Sequence, residues 1–254
     1  MDTNWNLRWL FYLWVSLVIH KTTAVTFINE DNSFLQVKKW DVSASRGLGF
    51  RFKTFLRDAL LLYMDDEGKS NFLRVELFQG KLRLTCSDGS RFGAMAVEVG
   101  DHLNDLQWHR VLLERLKGKT TVTLDNQSTS RSTIKSKEGS SLHIESPMYF
   151  GGLPPTLSAN SVTQPSVLLL NRFVGCMAEI EMFEFAAGQG KRRKDILDQS
   201  KEDSKGIAPG CTDMCEKDNI CQNNGTCLNK FTTIACDCTA TGFRGKTCEE
   251  GNSI

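Results

Sequence analysis

The sequence predicts an all-β chain, an antiparallel β-sandwich followed by a small disulfide-rich module. Apolar residues recur at every second position in short runs from Gly47 onward, with Gly, Asp and Asn between the runs. No segment holds a helical period over the twelve or so residues that a helix assignment needs. Six of the nine cysteines crowd into Cys215–Cys248, spaced C-x5-C-x5-C-x8-C-x-C-x9-C. So short a segment cannot close a sufficient core and folds with covalent staples, which require an oxidising compartment. A net charge of +1 argues against a nucleic-acid binder, which shows a strongly basic face.

The amino terminus provides a route out of the cytosol. Trp9 to Ile19 is an apolar run broken only by Ser16, behind a polar start and ahead of the small residues Thr22-Thr23-Ala24. A helix of that length rises ~16 Å, about half a bilayer's hydrocarbon core, so residues 1–24 read as a signal peptide rather than a span. No later segment approaches the ~20 consecutive apolar residues of a transmembrane helix. The expected product is secreted, with a sandwich over 25–211, a charged connector over 188–210 inside it, a stapled module over 212–250 and a tail over 251–254.

The strands follow in order. Leu48, Phe50 and Phe52 alternate with Gly49, Arg51 and Lys53, the pattern of a half-buried strand. Ala59–Met64 is a continuous apolar run, too short for three helical turns and ended by Asp65-Asp66-Glu67-Gly68. Leu73, Val75 and Leu77 lead through Gln79-Gly80 into Leu82 and Leu84, a hairpin whose glycine supplies the positive φ of a two-residue turn. Cys86 continues that apolar face and is expected to be buried. Further strands are expected at Ala94–Val99, Trp108–Glu114, Thr120–Leu124, Leu142–Ile144, Met148–Phe150, Val167–Leu170 and Phe173–Phe185, with at most a helical turn over Asp195–Ser200. Many short strands with little helix imply two sheets packed face to face.

Six cysteines allow fifteen pairings, and spacing does not choose among them. Clustered thiols also bind zinc, but the single residue between Cys236 and Cys238 and the lack of a nearby histidine argue against it. The spacing, with Cys221-Gln222-Asn223-Asn224-Gly225-Thr226-Cys227 and Gly242-Phe243-Arg244-Gly245, resembles an EGF-like module. That resemblance implies the pairs Cys215–Cys227, Cys221–Cys236 and Cys238–Cys248. Trp108-His109-Arg110-Val111, Leu124-Asp125, Tyr149-Phe150-Gly151-Gly152-Leu153-Pro154 and Phe173-Val174-Gly175-Cys176-Met177 are similar to the laminin G, or LNS, domain. This second resemblance implies a jelly-roll sandwich and a Cys176–Cys211 disulfide, which leaves Cys86 without a partner. A laminin G-like domain joined to an EGF-like module resembles the amino-terminal part of an α-type neurexin. It implies cell adhesion, with extracellular or cell-surface protein partners such as neuroligin-like or other synaptic ligands.

LNS domains of that family can hold calcium on the sandwich rim. The matching positions are Asn71, Asp88 and Ile144, where asparagine offers an oxygen without a charge. Asn126-Gln127-Ser128 and Asn224-Gly225-Thr226 are glycosylation sequons, at Asn126 and Asn224. Lys191-Arg192-Arg193-Lys194 is a candidate heparan sulfate contact, although Asp195, Asp198, Glu202 and Asp203 neutralise it nearby. Glu179-Ile180-Glu181-Met182-Phe183-Glu184 resembles a retaining-glycosidase run whose paired carboxylates act as nucleophile and acid. Strict alternation separates Glu179 from Glu184 unless a bulge intervenes, and no tryptophan-rich stretch surrounds the run, so it reads as a strand and the chain as a binding protein rather than an enzyme. The EGF-like module lacks an acidic cluster before Cys215 and reads as a spacer.

Overall fold

The computed structural model describes residues 24–251 apart from 29–30, 41–45, 91–92, 117, 128–130, 136–141, 187–188 and 198–203. The signal peptide expected over 1–24 lies outside the described residues except for Ala24, as does most of the tail.

Period-two burial generates the strands. They are β1 (Ala24–Phe27), β2 (Leu35–Val37), β3 (Arg46–Lys53), β4 (Ala59–Asp65), β5 (Asn71–Phe78), β6 (Lys81–Asp88) and β7 (Met95–Val99). After them come β8 (His109–Leu116), β9 (Lys119–Leu124), β10 (Arg131–Lys135), β11 (Met148–Phe150), β12 (Gly175–Ala186), β13 (Gln189–Asp195) and β14 (Ile207–Pro209). Among the described residues, one antiparallel sheet runs β10-β9-β8-β3-β12-β1-β14 with β13 also beside β12, and the other runs β2-β11-β4-β5-β6-β7. Leu48, Phe50 and Phe52 of β3 face Leu73, Val75, Leu82 and Leu84 of the second sheet in one continuous core. Gln79 and Gly80, at φ 53° and 80°, form the expected tight turn between β5 and β6.

The unbroken apolar run in β4 has a physical cause, since this strand is covered on both faces. Leu61, Leu62 and Met64 join the inter-sheet core, while Leu60 and Tyr63 pack with Phe72, Tyr149, Leu153, Val162 and Val167 on the other side. A strand buried on both faces has no polar side to show.

Several expectations are corrected. Leu142–Ile144 is not assigned as a strand; Leu142 and Ile144 alternate into the core from a segment that joins neither sheet among the described residues. Val167–Leu170 belongs to a 3-10 turn over Pro165–Leu169, where Pro165 presets the first helical φ. The connector expected over 188–210 is partly sheet, because β12 runs past the end of β1 and β13 pairs with the edge left open there. The turn expected over Asp195–Ser200 is occupied at its start by the end of β13, after which Ile196 and Leu197 are buried; the rest lies outside the described residues. Cys86 is a free, buried thiol, and burial pushes it up to about 11 against the pull of Arg115.

Cys176 is bonded to Cys211, and the module carries Cys215–Cys227, Cys221–Cys236 and Cys238–Cys248. A short helix α1 (Met214–Asp218) precedes two hairpins, β15 (Thr226–Asn229) with β16 (Ile234–Asp237) and β17 (Phe243–Arg244) with β18 (Glu250–Gly251). Read from sequence as a spacer, this module is instead docked on the sandwich. Phe231, at the tip of the first hairpin, is buried with Val174 and Cys176 against Phe55, Leu56, Leu106 and Trp108. The Asn229 amide donates to the Thr212 carbonyl while its oxygen accepts the N–H groups of Met214 and Phe231, so the hairpin and the linker are tied together. Thr212 in turn donates to the Thr26 hydroxyl of β1.

Candidate binding rim

At one end of the sandwich β4 turns into β5 through residues 65–71, and two other segments close against that turn. Asp65 holds all three. Its carbonyl accepts the N–H groups of Glu145 and Ser146 at 2.8 and 3.0 Å. Its carboxylate accepts the Tyr63 hydroxyl at 2.8 Å, the Thr163 N–H at 2.7 Å and the Glu67 N–H at 3.0 Å. Burial, and then the Asp65 charge, push the Tyr63 hydroxyl above the ordinary tyrosine range, so it stays a donor.

Asp66 is buried beside it and accepts from the backbone N–H groups of Lys69, Ser70 and Asn71, the Asn71 amide and the Thr163 hydroxyl. Burial alone would raise this carboxyl. The donors from Thr163, Asn71 and Ser70 outweigh burial and hold it at about 2. Two aspartates that the sequence offered only as a chain break therefore organise the rim.

The structure does bring the three predicted calcium positions together. Asn71 faces Asp88 in the β5–β6 ladder, and the Asn71 amide oxygen accepts the His143 N–H at 3.4 Å, next to Ile144. They do not fit the ion. Calcium needs several open oxygens, preferably anionic. Here the Asn71 nitrogen is turned toward Asp66 at 2.8 Å and its oxygen is occupied by an N–H, so the residue offered as the side-chain ligand has no open oxygen. Asn71 thus supplies to Asp66 from inside the protein the stabilisation that a cation would bring.

The laminin G domain model matches residues 52–184, about half of the chain, and the EGF-like domain model matches 215–247. The chain belongs to the laminin G domain family. Neurexin 1 of Drosophila melanogaster is 30% identical over 241 residues, covering 86% of this chain, and Neurexin-3a of Danio rerio is 30% identical over 244 residues, covering 95%. The chain spans 13% of the length of each of these relatives. Its fold is similar to laminin alpha1 domains LG4-5 of mouse, with a TM-score of 0.56 at 22% identity over 74% of this chain and 47% of that one. The LG1-3 region of the laminin alpha2 chain gives 0.55 at 22% identity, over 75% of this chain and 35% of that one. The chain is therefore a laminin G domain followed by an EGF-like domain, with neurexin homologues matching most of its length.

The glutamates considered for glycoside hydrolysis lie on β12 of this laminin G domain. A bulge between Ala178 and Glu181 inserts one extra residue, with Glu179 at φ 51°. Glu179 is paired with Arg51 at 2.9 Å and Arg110 at 2.8 Å, and Glu181 with Arg110 at 3.4 Å. Burial favours the protonated form of Glu179, but Arg51 and Arg110 outweigh it and hold the carboxyl below its usual range. A general acid needs the opposite shift. The Glu184 side chain lies outside the described residues, although its backbone pairs with Arg46 and Arg192.

The remaining candidates are dispersed. Asn126 is exposed in a turn with Asp125, both at positive φ, and Asn224 is exposed at φ 62° within the stapled module. Lys191–Lys194 lie on β13, their backbone registered against β12, with their side chains outside the described residues. Sequence reasoning missed Asp65, Asp66, Thr163 and Phe231. The doublet Asp65-Asp66 at a strand end was the available cue, whereas nothing around Phe231 distinguishes it from any exposed turn aromatic.

Proposed function

We propose that the chain is an extracellular adhesion module that recognises protein partners with the rim formed by residues 65–71, 143–149 and 160–164, and that it does so without calcium. The observation that carries this is the Asp65–Asp66 network, which holds three rim segments in one arrangement with internal donors. A surface fixed before binding loses less conformational entropy when a partner arrives. Similarity to neurexins supports a cell-surface or secreted partner of the synaptic kind, and the exposed turns support glycans at Asn126 and Asn224. The pairing of Glu179 with two arginines supports a non-enzymatic reading.

The test is capture of cell-surface proteins by the full chain displayed as an oligomer. Lys69→Glu and Asn160→Trp, on the exposed rim, should each weaken capture at least about tenfold, while Glu98→Gln on β7 should leave it unchanged. Chelation of calcium should also leave it unchanged. Equal binding by all variants would place recognition elsewhere.

A further inference from the structure

A cleft of about 240 Å³ opens beside Asp65, walled in part by residues of the rim network. Pro147, Leu157 and Val162 form apolar walls, Tyr149, Ser146 and Ser161 line it, and of its two acidic residues Glu67 is exposed while the Asp65 carboxylate is taken up by the Tyr63, Thr163 and Glu67 donors. No lysine, arginine or histidine lines it.

Tyr149 is the informative residue. It is 7% exposed, yet its hydroxyl makes no hydrogen bond with the described residues, and it lines this cleft. The ring is packed away while the oxygen is not among the buried polar atoms that lack a partner, so the hydroxyl is open to what enters the cleft. Burial, then Asp65 and Glu67, raise its pKa, which keeps the hydroxyl protonated and able both to donate and to accept. Glu67 is exposed, forms no ion pair among the described residues, and has its backbone held by the hydrogen bond to Asp65.

The dimensions and the chemistry select the occupant. Pockets for small molecules typically hold ~300–1,000 Å³, so this one suits a single long side chain rather than a cofactor. Apolar walls accept a methylene stem, the Glu67 carboxylate accepts a cationic head, and the phenol oxygen accepts one further N–H. A planar guanidinium offers five donors in a fixed fork and loses hydration more readily than an ammonium. We propose that this cleft receives one arginine side chain from the protein partner, set between Glu67 and the Tyr149 hydroxyl. The proposal rests on the rim reading above and adds the class of residue the rim selects.

The experiment is a titration of the ¹⁵N-labelled full chain with Nα-acetyl-arginine amide, with the lysine and leucine amides and calcium chloride as separate arms. The arginine probe should saturably shift the amide resonances of residues 65–67, 148–149 and 161–163. Glu67→Gln should weaken it about tenfold, the loss of one charge-assisted hydrogen bond, and Tyr149→Phe by several-fold. Glu98→Gln should leave it as in the wild type. Because Glu67 is on an exposed turn, its variant serves even if Tyr149→Phe folds poorly. The proposal is overturned if leucine amide binds as well as arginine amide, if lysine amide binds better, or if both variants bind as wild type. Displacement of arginine by calcium would assign the carboxylates to a metal instead and would also overturn it. Should Lys69→Glu and Asn160→Trp abolish partner capture while the arginine probe leaves these resonances unmoved, the cleft proposal falls and the rim reading stands. An arginine probe that binds while capture ignores every rim variant would leave a cleft with no role in partner recognition, and the rim reading would fall with it.

Discussion

In the laminin G sandwich, Phe50, Phe52, Leu62 and Leu84 are sealed between two sheets, whereas in the EGF-like module only Phe231 and Cys248 are found among the described buried hydrophobic residues. Moreover, Phe231 is buried against the sandwich and not against its own module. One region gains its shape from apolar area removed from water. The other gains it from three disulfides that deny the unfolded chain its freedom, and its one large apolar side chain found fully buried is packed on its neighbour. A module with no core of its own still acquires a fixed position, because the site that receives Phe231 belongs to a rigid partner.

That contrast is open to attack at four points. Phe50→Ala removes a ring packed edge-on against Phe150 in the middle of the core and should destabilise the sandwich by about 4 kcal/mol in urea unfolding, with the module's disulfide map unchanged. Joint replacement of Cys221 and Cys236 by serine opens a 15-residue loop and should cost the module about 3 kcal/mol. Hydrogen exchange should rise across 215–248 while the sandwich midpoint stays in place; an equal fall in both would make the chain one cooperative unit.

Phe231→Ala should cost the junction about 2 kcal/mol of buried aromatic surface and leave both folds intact. In ¹⁵N relaxation the wild type should tumble with one correlation time and the variant with two. Two correlation times in the wild type would return the module to the status of a spacer. The smallest effect concerns the rim. Asp66 is held at about 2 against an ordinary 3.8, so its contribution is complete above about pH 5, declines from there and is lost as pH falls through 2, about 2 kcal/mol in all. Thermal unfolding of Asp66→Asn should be correspondingly less steep in pH over that interval than the wild type.

How legible each region was in the sequence follows from the same division. Strands buried on one face announce themselves by alternation, as with Leu48, Phe50 and Phe52 or Leu73, Val75 and Leu77. The signal fails where burial arises without a ladder. Leu142 and Ile144 alternate like a strand because both reach the core, yet among the described residues they belong to neither sheet. Val167 to Leu170 is apolar because Val167 covers the outer face of β4, while Leu169 is 86% exposed on a turn that Pro165 initiates. Of the candidate site, the sequence marked Asn71 and Asp88 through a resemblance, but not the use to which Asn71 is put.

Alternation, turn chemistry and cysteine spacing are local properties, and from them the chain's class, its hairpins and its two-part organisation could be read directly. Hydrogen-bond satisfaction is not local. Asp66 is a retained anion because Thr163, 97 residues further on, joins the donors of its own turn, and Phe231 is a clasp only because Val174 and Trp108 leave it a place. Tertiary structure alone decided that the rim is held by internal donors and that the module is docked, since each depends on which distant groups share one small volume.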